Sequence, residues 1–253
     1  MAWFYLVDKP EEAKWLNDEE RRWLVTALDR EHQAKQGHKH PTVMTVMFNG
    51  QVWMLCLIYF GFIYGLYALG FFLPTIINGF QQQFGVTFNV FDKGLITAVP
   101  YLPAAIALYF WSKDASKRGI RSWHITIPAV AGAVSVPLAL YMESPTAVIA
   151  VITITACAIF SALPNFWTLP TRFLTGAAAA AAVALINTIG NIAGFSAGYI
   201  TGALRDASGS YAMPMYVVGG FMLLSAVLMV LLQRYGSMSA PVETKHTLLP
   251  EEN

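Results

Sequence analysis

The chain has 253 residues, of which 56% are hydrophobic and 12% charged, and its formal net charge is +1. A soluble domain carries nearer a quarter charged residues, so the composition excludes an ordinary water-soluble fold. Near-neutrality removes the electrostatic case for a nucleic-acid partner. The two cysteines, Cys56 and Cys157, both lie in apolar runs and read as small core residues, not as a disulfide or metal pair.

Residues 1–50 form a polar segment. The opening MAWFYLVDKPEEAKWL has a short apolar patch followed by acids, without the basic start and small-residue cleavage site of a signal peptide. Asn17 precedes Asp18, Glu19 and Glu20, a spacing that predicts a capping box. Trp23, Leu24, Ala27 and Leu28 then build one apolar helix face. That face reads as lying on the protein or the membrane surface, or as a partner-binding helix. His32, His38 and His40 lack the cysteine or carboxylate spacing of a metal site, so a linker is expected there and no metal or cofactor is assigned.

Six apolar stretches follow, each near the roughly 20 residues that a bilayer requires. They run over about 52–78, 94–112, 124–142, 146–169, 176–203 and 213–233, within a bundle spanning 51–236, with a polar tail at 237–253. The fold class is therefore an all-α membrane protein with six transmembrane helices. With an even number of spans both termini share a side. If that side is the cytoplasm, Lys35, Lys39, Lys113, Lys117, Arg118, Arg121, Arg172 and Arg234 flank spans inside, and only Lys93 and Arg205 lie outside. The acids Asp92, Asp114, Glu143 and Asp206 are expected in loops. No Lys or Arg falls inside an apolar span, so these spans offer no charged proton relay.

Several spans carry proline: Pro74, Pro100 with Pro103, Pro128 with Pro137, and Pro164. Each removes one backbone bond and frees a carbonyl one turn earlier. Transporters use such breaks to expose backbone to a cavity, and any kinked bundle contains them too.

The polar groups available for chemistry are neutral. In FGFIYGLYALGFFLP, Tyr64 and Tyr67 are three apart and fit either a substrate contact or interfacial packing. Asn165 and Trp167 directly follow Pro164. Asn187 and Asn191 are four apart on one helix and face either a cavity or another helix. Gly190, Gly194, Gly198 and Gly202 repeat at i,i+4, a smooth stripe that predicts close helix packing. Gly194-Phe195-Ser196-Ala197-Gly198 matches the G-x-S-x-G of serine hydrolases, but it falls inside a continuous apolar helix. With no intramembrane acid and no clearly buried histidine expected, an enzyme is rejected.

The loop WSKDASKRGIRSWH, through Asp114, Arg118, Gly119 and Arg121, is similar to the cytoplasmic loop motif of the major facilitator superfamily, which runs G-x-x-x-D-R-x-G-R-R. This copy has Ala115 after the acid and a longer spacing to Gly119. Three further stretches, DKPEEAKWLNDEERRWL, PNFWTLPTRFLTG and AAAAAAVALINTIGNIAGFSAGYITGALRDASGSY, resemble the anion:cation symporter branch, whose bacterial members carry tartrate, galactonate, phthalate and 4-hydroxyphenylacetate. The resemblance covers nearly the whole chain and only the C-terminal half of such a twelve-span transporter. It implies proton-coupled symport of a small organic anion by alternating access, in a bacterial inner membrane with cytoplasmic termini. It also implies a partner, either a missing N-terminal six-helix half or a second copy. Tyr64, Tyr67, Asn165, Trp167, Asn187 and Asn191 would then line the substrate cavity, with the glycine stripe as a sliding surface. The alternative is a six-span membrane protein that transports nothing, either a remnant or an interaction partner.

Overall fold

Asn17 opens the first long helix with the capping box that its spacing predicts. Its Oδ1 accepts from the N–H groups of Glu19 (3.1 Å) and Glu20 (2.8 Å), and Glu20 Oε2 accepts from Asn17 N–H at 3.1 Å. The structure, a computed structural model, describes residues 10–13, 15–36, 43–174 and 176–235. Lys39, His38, His40 and the tail 237–253 lie outside the described residues.

Helix α1 spans Asp18–Gln36 and α2 spans Gly50–Phe84. Helices α3 (Val90–Ala98) and α4 (Tyr101–Arg118) follow, then α5 (Trp123–Leu138), α6 (Pro145–Phe166), α7 (Gly176–Ser208) and α8 (Ala212–Tyr235). Among the described residues there is no strand. Among the described residues, six stretches are long and apolar enough to cross a membrane: Gly50–Phe71, Val90–Arg118, Trp123–Tyr141, Pro145–Phe166, Ala178–Ser208 and Ala212–Arg234.

Several boundaries differ from the sequence reading for physical reasons. The span read at 94–112 is two helices, α3 and α4, parted at Val99 and Pro100. Proline has no N–H to continue the ladder of α3, but is well tolerated in the first turn of a new helix. Helix α2 runs for 35 residues, about 52 Å at 1.5 Å per residue, well beyond a hydrocarbon core of about 30 Å. Overrun of this kind also carries charge into helix ends. Asp92 and Lys93 sit in the first turns of α3, Asp114 in α4, and Asp206 in α7, where the sequence reading expected loops. Only Glu143 remains in a connection.

Helix α2 is the hub. It packs most extensively on α7, then on α8, and also touches α6 and α3. Helix α5 wedges between α6 and α8, and α4 rests on α6. The order across the bundle therefore leaves α7 at one edge and α4 at the other. The core between them holds Leu55, Phe62, Tyr64, Ile159, Phe166 and Met222.

Lipid gives helices no hydrophobic reason to associate, so close backbone approach and interhelical hydrogen bonds hold them. The α2–α8 crossing shows both devices. A Cβ on Gly61 would lie 2.5 Å from the Phe221 carbonyl oxygen and 2.1 Å from Ser225 Oγ. Ser225 Oγ donates to the carbonyl of Ile58 across the same crossing, at 3.0 Å.

Candidate functional site

Helix α7 places two i,i+4 stripes side by side, and they do different work. The glycine stripe turns toward α2. A Cβ on Gly190 would meet the Tyr59 ring at 2.3 Å, and one on Gly194 the Tyr67 ring at 2.8 Å. Gly198 only brushes Phe71, at 3.9 Å, and Gly202 meets nothing within 4 Å. Half of the stripe is thus a seat for two tyrosine rings of the same bundle, not a bare sliding surface. Tyr59 is itself pinned by Phe166, stacked at 5.3 Å, and by the edge of Trp167 at 4.8 Å.

The second stripe, Asn187, Asn191, Phe195 and Tyr199, is exposed. Phe195 and Tyr199 stack with ring centroids 6.2 Å apart and planes within 7°. Facing them from α2, the rings of Tyr67 and Phe71 lie 5.7 Å apart. Between these walls runs an open groove floored by Gly194 and Gly198 and closed at one end by Asn191. Asn191 Nδ2 donates to the Asn187 carbonyl oxygen at 2.9 Å and to Asn187 Oδ1 at 3.2 Å. That leaves the Asn187 amide N–H groups and Asn191 Oδ1 without a partner among the described residues. Two amides half-satisfied near the middle of a long apolar helix are costly against lipid.

The six residues singled out for substrate divide into three places. Tyr67 and Asn191 come together at the groove, and Asn187 lies one helical turn before Asn191, outside the lining. Tyr64 does not: it is fully buried among the rings of Phe60 and Phe221, with Oη 3.4 Å from Thr201 Oγ1. Asn165 is also buried, and its Nδ2 donates to the carbonyl of Ser161 at 2.9 Å. Trp167 is half-buried against the Tyr59 ring and is not part of the groove lining. Sequence reasoning passed over Phe71, Phe195 and Tyr199. The signal for two of them was present, since 195 and 199 simply continue the i,i+4 register of 187 and 191.

The loop motif forms a second constellation, between α4 and α5. Asp114 Oδ1 pairs with Arg118 Nε at 2.7 Å, and Oδ2 lies 3.4 Å from His124 Nε2. Gly119 ends α4 with φ +75°, a conformation that favours glycine. Arg121 takes part through its backbone N–H, which donates to His124 Nδ1 at 3.0 Å. His124 is fully buried, contrary to the expectation that no histidine would be. The reason is a local one. Pro128 frees the carbonyl of His124, one turn earlier, and the Trp111 indole N–H takes it at 2.8 Å. Trp123 stacks on the imidazole at 3.7 Å. Ser196, between Gly194 and Gly198, sits in uninterrupted helix and has none of the strand-turn-helix geometry of a serine nucleophile.

The sequence pattern described as Major Facilitator Superfamily matches residues 1–198. The chain belongs to the major facilitator superfamily. It is similar to a "Putative tartrate transporter" of Agrobacterium vitis, 38% identical over 242 residues, covering 96% of this chain and 52% of that protein. A "Quinolone resistance transporter" of Acinetobacter baumannii is 30% identical over 227 residues, covering 90% of this chain and 51% of the relative. An "Inner membrane transport protein RhmT" of Escherichia coli is 30% identical over 196 residues, covering 78% and 44%. The chain spans about half the length of the curated relatives it matches. The six apolar membrane-crossing stretches among the described residues, together with membership of this superfamily, make it an integral membrane protein and not an enzyme.

Proposed function

We propose that this chain acts as the C-terminal half of a proton-coupled symporter for a small organic anion, of the anion:cation symporter branch. The observation that carries the reading is the open stripe of α7. Asn187 and Asn191 keep unused amide hydrogen-bonding capacity at membrane depth, Asn191 in the lining of the aromatic groove with Tyr67 and Asn187 one turn before it. Lipid cannot use that capacity, whereas a carboxylate or hydroxyl of a substrate can accept from the Asn187 amide. The other wall of the cavity comes from an N-terminal six-helix half or from a second copy, and alternating access rocks one bundle against the other. A chain of this size set against relatives about twice as long supports that arrangement.

The bundle brings neutral donors and aromatic walls, and the compensating positive charge belongs to the partner half. Tartrate-like hydroxy acids, sugar acids and aromatic acids fit such a surface, the first two through hydroxyls on the amide pair and the last through stacking on Phe195 and Tyr199. Lys113, Lys117, Arg118 and Arg121 cluster at the α4–α5 end and support a cytoplasmic placement of that end and of both termini. The RhmT relative's name supports an inner-membrane location.

The test is uptake into membrane vesicles. Vesicles carrying this chain together with the first half of a similar transporter are loaded at one pH and diluted into another, with labelled tartrate, a sugar acid or an aromatic acid outside. Accumulation of one class, driven by the proton gradient and abolished by its collapse, is expected. Stable insertion of both halves without accumulation of any of the three favours the non-transporting alternative.

A further inference from the structure

The chain between α1 and α2 loses its charge before the membrane-crossing stretch begins. From Pro41 to Phe91 there is no Asp, Glu, Lys or Arg, and the charged residue just before that run is Lys39. The crossing stretch starts at Gly50, so residues 41–49 precede it without a charge. Within them lies a short helix, Val43–Met47, packed on α7. Val46 seats it. That side chain is 1% exposed and belongs to the same core as Val52, Leu174 and Ala178. Met44, two positions away and on the far face at about 100° per residue, is 64% exposed, and Phe48 is 78% exposed. Met47 and Trp53 are exposed as well.

Hydrogen bonds fix the join to α2. The Asn49 N–H donates to the Val46 carbonyl at 3.1 Å, and the Trp53 indole N–H donates to the Met47 carbonyl at 2.8 Å. Both carbonyls belong to the end of the short helix, where no helical partner exists. Asn49 Oδ1 then accepts from the Gln51 N–H at 2.8 Å and starts α2.

We propose that residues 43–53 form an in-plane anchor in the leaflet where α2 begins. Met44, Met47 and Phe48 enter the boundary of the acyl chains, and the Trp53 ring lies at the level of the glycerol and headgroups. Continuity argues for lipid as the occupant. Trp53 and Leu57 are exposed one turn apart on α2, inside the crossing stretch, and the Trp53 bond brings the end of the short helix onto that same side. In water these side chains would stand together as an exposed apolar patch, whereas at the membrane boundary they replace headgroup and acyl contacts. A ring with its N–H engaged and its face open suits the interface. Lys35 and Lys39, just upstream, suit acidic headgroups. The anchor fixes where the segment bearing α1 leaves the bilayer. It ties that point to α2 and α7, whichever molecule is carried.

The experiment uses the intact chain in nanodiscs of phosphatidylcholine and phosphatidylglycerol. A nitroxide is attached at Met44→Cys or Phe48→Cys after Cys56→Ala and Cys157→Ala. Leu223→Cys on α8 and Ala207→Cys near the end of α7, both exposed, are the references for lipid and water. At 44 and 48, collisions with oxygen are expected to outnumber those with a water-soluble nickel chelate, by less than at Leu223, and the order inverts at Ala207. In the chain with its own cysteines, Trp53 emission is taken as the difference from Trp53→Phe. Lipids brominated near the top of the acyl chain are expected to quench it more than lipids brominated near the end, and this reading needs no label. Both measurements are repeated with the first half of a similar transporter present and should not change. An excess of nickel collisions at 44 and 48 would put the short helix in water. Loss of both kinds of collision on adding the first half would make the surface a contact between halves. Stronger quenching by the deep bromines would place Trp53 below the interface. Each of these three results overturns the proposal.

Discussion

Gly61→Ala is expected to be the most damaging single methyl group that can be added to this bundle. The new Cβ would lie 2.5 Å from the Phe221 carbonyl oxygen, which is helix backbone and cannot swing aside, and 2.1 Å from Ser225 Oγ. Relief requires α8 to move off α2, which also breaks the 3.0 Å bond from Ser225 to the Ile58 carbonyl. Overpacking of this kind costs about 1–3 kcal/mol, and a lost buried hydrogen bond adds about 1 kcal/mol. Gly190→Ala strikes the Tyr59 ring at 2.3 Å, and that ring is held by Phe166 and Trp167, so a loss of similar size is expected. Gly202→Ala meets nothing within 4 Å and should leave stability unchanged or slightly raised, since alanine is the better helix former by up to about 1 kcal/mol. Thermal unfolding of the three variants in one detergent gives the order. Equal melting temperatures for Gly61→Ala and Gly202→Ala would contradict the packing described.

Gly194→Leu is expected to stop transport while the protein still inserts and folds. Gly194 floors the groove and lies under the Tyr67 ring, with a Cβ distance of 2.8 Å to ring carbon. A leucine there pushes Tyr67 outward and fills the space between the aromatic walls. The groove opens to one side, so the displaced ring has somewhere to go and the cost in stability stays below that of Gly61→Ala. Initial uptake rates at matched protein levels check this. A normal rate would remove the groove from the account.

Much of the architecture is legible in the sequence, because a bilayer demands long apolar helices and little else satisfies the backbone. The six stretches and the Asn17 capping box are examples. The ends of the helices were less legible. Lipid marks where hydrophobicity must stop, not where hydrogen bonding must, so α2 runs on to Phe84 and Arg205 and Asp206 end up helical. The glycine stripe correctly announced a close neighbour but could not name it, because Tyr59 and Tyr67 lie well over a hundred residues away in the chain. Tyr64 illustrates the converse. Three residues from Tyr67, it has the same chemistry, yet a small rotation turns it into the contact among α2, α7 and α8 instead of the groove. His124 was hidden because a lone histidine after a run of bases reads as a solvated loop. Pro128, four residues on, together with Trp111, was the available clue.

The groove and the His124 constellation sit on different helices, α2 with α7 and α4 with α5, and they make separable demands. Substitutions at the first should change which acid is carried and how tightly. Substitutions at the second should loosen the α4–α5 connection, which the Trp111 and Arg121 bonds to His124 hold. Neither depends on the partner-free apolar faces of α3 and α4, where Phe91, Leu102 and Phe110 are exposed as expected for residues meeting lipid or another bundle.

The most direct measurement of the central claim is the concentration dependence of proton-driven uptake for Asn187→Ala/Asn191→Ala beside the unsubstituted chain, each paired with the same first half. Both side chains are exposed and, among the described residues, bond within their own helix turn, so their removal should leave the melting temperature within a degree or two. The predicted result is a half-saturating acid concentration raised by about tenfold or more, the equivalent of about 1.4 kcal/mol of lost binding, with the proton gradient still required. An unchanged half-saturating concentration for every acid carried would show that the open face of α7 does not touch the substrate, and would contradict the account.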